Sequence, residues 1–386
     1  MTRSTAVAVA SLLLFGAGSV AAQPARVDRQ ELRTAIDQLG DFDYDTRTAA
    51  SRLVRRAPVE QVGPALVAAV TGHDEGYVRF RALVLLVGLG GATAKQVVLD
   101  VLDDPNDRLR AVAYGYFAHE PDPSMVPRLL QALDTETSEF VRPALIRAVA
   151  AHDDNATVRE RLIADIDRGE DFFRGGVIEA LADRGAEYAL DALMRIVAQP
   201  GPLQDDALLA LTRIGDARAL GSIAALQGRD AEMEPMVSAA AAMLGSDRDE
   251  HFQYVSESLR FAAAGDNADV VRSAAAGLGA LAAGGDAGAV QELFDVGVDA
   301  DPGPRNAIAL VLGMLAMRDS AVVLEHLETR TDLPAAALVL RDGFDMLDED
   351  LAEERFFMTA RTAFWAAPEG SRSRAVSEEL IKVLEF

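Results

Sequence analysis

Apolar residues recur along this chain at two nested intervals. Locally they fall three and four residues apart, the spacing of one face of an α-helix. The same local pattern then returns after about thirty residues. The stretch VRPALIRAVAA, residues 141–151, carries Leu145 and Val149 four apart. Equivalent pairs stand at Ala50/Val54, Ala82/Leu86, Ala113/Phe117, Val177/Leu181, Ala207/Leu211, Ala240/Leu244, Ala274/Leu278, Ile308/Leu312 and Leu340/Phe344. Successive second members lie 32, 31, 32, 32, 30, 33, 34, 34 and 32 residues apart. Ten units at this interval predict a repeat array in which each unit completes its neighbour's core.

The units share a grammar. A first helix is marked by apolar spacing, as in Val62, Leu66 and Val70 or in Val126, Leu129 and Leu133. A polar turn rich in aspartate follows, such as Asp103-Asp104-Pro105-Asn106-Asp107. Acidic turn residues suit the next helix start, where amides lack partners and the dipole is positive. The second helix opens on an apolar residue and an arginine: Val78-Arg79, Leu109-Arg110, Val141-Arg142, Phe173-Arg174 and Pro304-Arg305. Glycine or aspartate closes the unit, as at Leu89-Gly90, Gly185, Ile214-Gly215, Leu244-Gly245 and Leu278-Gly279, because the residue after a helix often turns left-handed.

This D-x-x-V-R turn and helix start, the small-x-x-x-Leu-Gly core and the 30–34-residue period resemble HEAT repeats, in particular the short HEAT-like repeats of the phycobilisome-lyase type. The resemblance spans roughly residues 42–345. It implies an all-α fold, an α-solenoid of about ten stacked helix pairs forming a HEAT-like, armadillo-type superhelix, with the second helices lining a curved face used mostly for binding proteins. The arginine position departs from the pattern at Gln204, Val237, Val271 and Ala337, and Arg272 is displaced by one. Units around Met236–Ala264 and Val270–Val298 are longer, which predicts altered loops between their helices.

The ends read differently. Residues 1–22 have the form of a signal peptide: Arg3, an apolar run from Thr5 to Val20, and Val20-Ala21-Ala22 as a cleavage site near Ala22. The run is short for a bilayer span, so no integral span is expected after its removal, and the expected location is the periplasm or outside the cell. Residues 23–41 read as a linker and N-terminal capping helix opening at Asp28, with Glu31 three positions on. Residues 42–345 are the solenoid and 346–386 a C-terminal helical cap. That cap begins with an acidic run from Asp345 to Glu354, continues through Phe356, Phe357, Phe364 and Trp365, and ends in a helix from about Ser373 to Leu384.

Composition narrows the function. The chain carries 61 acidic against 37 basic residues, a formal charge of −24, which argues against nucleic acid and anionic membranes as partners. With no cysteine there is no thiol chemistry, thiolate zinc site or disulfide. Half of the residues are hydrophobic, enough for a large core, while aromatics make up only 6% and small side chains suit close helix stacking.

Chemical motifs are sparse. His73, His119, His152, His251 and His326 never take H-x-x-x-H spacing and read as surface side chains. Gly221-Ser222 lies in a helix-forming run rather than a nucleophile elbow, and Gly277-x-Gly279 lacks the preceding strand of a phosphate cradle. Asp103, Asp104 and Asp107, and the run Asp345–Glu354, could hold calcium but lack the EF-hand spacing and read as caps and solvated charge. The arginines at the second-helix starts are expected to pair with turn acids of neighbouring units. Tyr116, next to the core residue Phe117, is the one candidate binding residue, because surface tyrosines are common interface anchors.

No catalytic, cofactor-binding or metal site is expected, and no cofactor. The expected function is a non-catalytic scaffold or adaptor of the cell envelope that binds protein partners along a curved helical face. Two other readings stand beside it: an acidic module capturing basic polypeptides or cations, and an accessory to an enzyme or cofactor-handling system.

Overall fold

The computed structural model describes residues 26–265, 267–347 and 350–386, with the side chain of residue 350 left aside. The signal peptide and its cleavage site at Ala22 lie outside these residues, as do positions 348 and 349 of the acidic run. The described chain is all-helical: 22 α-helices from Arg29–Gln38 to Arg372–Val383, three single 3₁₀ turns, and no strand among the described residues. No single described helix is long and apolar enough to cross a bilayer.

The aspartate-rich turns work as caps. Side chains of Asp28, Asp43, Asn106, Asn155, Asp247 and Asp286 each accept a hydrogen bond from a first-turn amide of the helix they precede. These amides have no partner inside the helix, so each cap contributes about 1 kcal/mol. The helix Gln204–Ile214 ends at Gly215 with φ +71°, a left-handed turn that glycine adopts without strain.

The period of the sequence maps onto a row of ten helices: Tyr44–Arg56, Gly76–Leu89, Asp107–His119, Arg142–Ala150, Asp171–Asp183, Gln204–Ile214, Glu234–Met243, Ala268–Ala283, Pro302–Arg318 and Leu333–Leu347. Each packs against the next, without interruption, from the first to the tenth. Every one of the twenty residues in the repeated apolar pairs is at most 5% exposed. Nine flanking helices, from Val59–Gly72 to Ser320–Thr329, alternate with this core row and pack against it.

The units vary in length. The flanking helix Leu220–Ala224 has 5 residues, whereas Arg248–Ala264 has 17 and the core-row helix Ala268–Ala283 has 16. The longer spacing in this part of the sequence therefore goes into longer helices rather than into the loops where altered geometry was expected.

The apolar interior falls into two bodies. One runs from Leu32 to Leu244, and the second gathers residues from Ala239 to Phe386. They abut along the helix Glu234–Met243, whose successive alanines are divided between them. The last helix, Arg372–Val383, packs on Leu333–Leu347 and Ser320–Thr329. The helix before it, Asp350–Ala366, goes further and lies against Gly76–Leu89 and Asp107–His119 near the other end of the chain. No periodic signal in the sequence anticipates that contact.

Phe117 has no exposed surface and shares with Phe344 the largest side chain among the repeated pairs. Phe117→Ala is expected to lower stability by about 3–5 kcal/mol, the combined loss of transfer energy and packing. Urea unfolding of the two chains compares the values. A loss below about 1 kcal/mol would remove the repeated pair from the core.

Candidate binding surface

The apolar-arginine start of the second helices sets a register in which Val78, Leu109, Val141 and Phe173 point inward and are buried. The residue just before each of them is Tyr77, Arg108, Phe140 and Phe172. Three of the four are aromatic and lie open to solvent, at 39%, 51% and 61% exposure. The fourth, Arg108, places its guanidinium carbon 5.5 Å from the ring centres of both Tyr77 and Phe140, and 5.4 Å from Phe80. One cation is thus layered between rings from the preceding and following units, a favourable contact with the electron-rich ring faces. Phe42 and Tyr44 are exposed as well, and Arg47 lies over the Tyr44 ring. The turns bearing this edge also bear exposed carboxylates at Asp74, Glu75, Glu139, Glu170 and Asp171.

The apolar spacing that marks each unit does not single out this edge, which sits one position ahead of the apolar-arginine dipeptide. A lone aromatic there carries no period of its own; its meaning comes from stacking of adjacent units at 31- and 32-residue intervals.

Tyr116 occupies a more enclosed position than a free anchor. It is half-buried and packed on the core, its ring edge-on to Phe117 at 5.4 Å. Burial pushes its hydroxyl pKa up, with Glu120 adding to the effect. The ring lies close to the ion pair between Lys95 and Asp122, whose nitrogen and oxygen are 2.9 Å apart. The aromatic group near the C-terminus divides: Phe356 and Phe357 are core, and Trp365 is 68% exposed.

Arginines knit the units together, by two different arrangements. Arg79 pairs with Asp104 of the following unit, Arg110 makes a two-pronged contact with Glu136 at 2.8 and 2.9 Å, and Arg305 reaches Asp342. Arg142 and Arg174 depart from the expected ladder. They donate to the carbonyls of Glu136 and Ile166, capping the turn behind them. A second series joins the flanking helices: Arg128 to Asp103, Arg161 to Asp134 and Arg195 to Asp167. These outer pairs are half-open to water and contribute little individually. The Arg110–Glu136 pair is different. Burial alone would raise the Glu136 carboxyl, but the Arg110 fork and the Ser138 amide outweigh it and hold the pKa below its usual value.

The three acids of the 103–107 turn have arginine or serine partners. Asp103 and Asp104 engage Arg128 and Arg79, and Asp107 accepts from Ser138. Among the described residues no three His, Asp or Glu side chains gather as metal ligands. Gly221-Ser222 lies inside the five-residue helix Leu220–Ala224, and Gly277 lies within Ala268–Ala283, where a Cβ would meet Ala239 at 2.8 Å. The expectation of surface histidines needs correction. His152 is buried with no protein partner at Nε2, and His326 is half-buried, stacked on Phe294 at 5.4 Å between ring centres. Both rings fill gaps between helices, a role that spacing along the chain does not disclose.

His119 faces the C-terminal helix. The residue is exposed overall, yet loss of hydration at its ring, with Arg355 and Arg147 adding to it, lowers its pKa to about 4. No family model and no curated protein matches this chain in sequence.

Two outcomes follow from these contacts. Arg110→Ala leaves Glu136 buried without its fork and is expected to cost about 3 kcal/mol, part of which Glu136→Gln recovers in the double variant; urea midpoints of the three chains measure it. For His119, the unfolded chain takes up a proton near pH 6.5 while the folded chain resists until about pH 4. Stability therefore falls as pH drops from 6.5 to 4 and levels off below. In His119→Gln that component of the fall is absent. A proton-NMR titration placing the His119 pKa near 6.5 would contradict the assignment.

Proposed function

We propose that this protein is an exported, non-catalytic scaffold or adaptor: a HEAT-like superhelix of about ten helix pairs that binds a protein partner along its helical surface. The unbroken row of ten core helices, each flanked by a partner helix, supports the solenoid reading. Solenoids of this kind offer long surfaces on which affinity is distributed over many side chains.

The observation that carries the binding reading is the edge formed by Tyr77, Arg108, Phe140 and Phe172. Aromatic and arginine side chains are the residue types most often found at the energetic centres of interfaces. Here they are pre-ordered by stacking on one another, which lowers the entropy lost on binding. An enclosed site with converging nucleophile, base or ligand groups does not enter this account. Export rests on the form of residues 1–22 in the sequence.

The formal charge of −24 favours a second reading, capture of basic polypeptides by charge alone. Salt separates the two, since screening weakens exposed charge pairs and leaves apolar contacts intact. The test is affinity capture from cell-envelope extract using the tagged chain and its Tyr77→Ala/Phe140→Ala/Phe172→Ala variant, each washed at low and high salt. A partner held at high salt by the parent chain and lost by the variant is the expected result. Partners released from both chains by salt would transfer the function to charge capture. A partner retained equally by the variant would remove this edge from the binding surface.

A further inference from the structure

The helix Asp350–Ala366 makes two kinds of contact. Its apolar side belongs to the C-terminal body: Phe356 and Phe357 pack on Phe344, with ring centres 4.9 and 6.0 Å away, and the Phe357 ring stacks on the C-terminal residue Phe386 at 4.1 Å. None of its side chains joins the N-terminal apolar body. Toward the helices of that body it turns Glu354, which pairs with Arg55, and Leu351, which meets Gly115.

Glu354 receives a two-pronged contact from Arg55, about 300 residues away in sequence, with Arg55 Nε at 2.8 Å and Nη2 at 2.7 Å from Oε2. Both side chains are nearly closed to water, at 7% and 2% exposure. Glu353 lies within the field of Arg81 and Arg55, and Arg52 pairs with Glu385 beyond the last helix. Arg361 donates to the backbone carbonyl of Arg55, and the Arg55 guanidinium covers the Phe357 ring at 5.1 Å.

The floor of this contact is shaped for close approach. A Cβ on Gly88 would meet Glu354 Cγ at 2.7 Å, and one on Gly115 would meet Leu351 Cδ2 at 2.9 Å. These two glycines lie on adjacent helices of the core row, Gly76–Leu89 and Asp107–His119. Arg52, Arg55 and Arg81 line the same surface, a cationic strip within a chain of charge −24. Small residues underneath and cations alongside suit a helix laid in a groove with its acids turned inward.

We propose that this surface of the first three core-row helices is a receptor for an acidic amphipathic helix, and that the chain's own helix Asp350–Ala366 fills it in cis. The contact with the first core-row helices is made largely by the Arg55–Glu354 pair, with Leu351 seated against Gly115. On release, the helix remains attached to the C-terminal body through Phe356 and Phe357. The groove then becomes available to a partner helix carrying adjacent acids at its centre. This deepens the scaffold reading by naming a partner chemistry for a surface separate from the aromatic edge, and it rests on that reading only for its biological use.

The chain has no cysteine, so Ala49→Cys on the Tyr44–Arg56 helix and Thr362→Cys on the C-terminal helix, both exposed, give a unique spin-label pair on the full chain. The expected result is one short distance in the labelled parent, a shift of most of the population to longer distances in Glu354→Arg, and return of the short distance in Arg55→Glu/Glu354→Arg. Should Glu354→Arg lose its helical circular dichroism, Glu354→Gln decides the matter: a larger long-distance fraction than in the parent supports the proposal. An unchanged short distance in every folded variant overturns it, since packing rather than charge would then hold the helix. A fluorescent peptide of residues 350–366 supplies the second arm. It is expected to bind the opened full chain about tenfold more tightly than the closed parent, because the closed state withholds the site. Equal binding to both chains, or none to the opened one, overturns the receptor assignment. Neither arm uses a captured partner, so failure here leaves the scaffold reading to its own test.

Discussion

Stacking of one core helix on the next is the constraint on which everything else in this molecule depends. A helix of nine to seventeen residues, the range of the core row, has little stability alone in water, and its apolar face must be covered. Here each core-row helix is covered by its two neighbours in the row and by flanking helices, through a pair of small or aliphatic residues four apart. Alanine stands first in six of the ten pairs, and leucine, valine or phenylalanine stands second in all of them. The result is an interior of two abutting bodies in which large rings such as Phe117 and Phe294 are wholly enclosed.

Outside this interior, arginine does most of the joining between units. Lysine occurs only at positions 95 and 382, so nearly every cation in the chain is a planar fork able to grip a carboxylate or a carbonyl at two points. The arginines serve three ends. Some bridge successive units, as Arg110 does to Glu136; some cap the turn behind them, as Arg142 and Arg174 do. Others reach across the fold, as Arg55 does to Glu354 and Arg318 does to Glu179 and Asp183. The last group turns a row of neighbours into an object whose distant parts meet.

That distinction bears on function. Contacts between successive units maintain the array and leave its surfaces open, as at the Tyr77–Arg108–Phe140 edge. Contacts across the fold close a surface, as the C-terminal helix does over Gly88 and Gly115. The two kinds of contact thus leave one surface of the described chain open and cover another with the chain's own helix.

The sequence by itself determined the helical class, the period, the residues facing the interior and most of the caps, because these follow from spacing within a single unit. All twenty residues of the repeated pairs are buried, and Asp28 and Ser371 cap the first and last helices close to where the pattern places them. Relations between units were less legible. The inward position of the apolar-arginine dipeptide could be read, but the exposed ring ahead of it gained meaning only when Arg108 slid between Tyr77 and Phe140. His152 and His326 looked like surface residues because turn-like surroundings say nothing of a neighbouring helix. The contact of Glu354 with Arg55 was beyond reach altogether. It depends on where residues some 300 positions apart meet, and no interval within one unit carries that information.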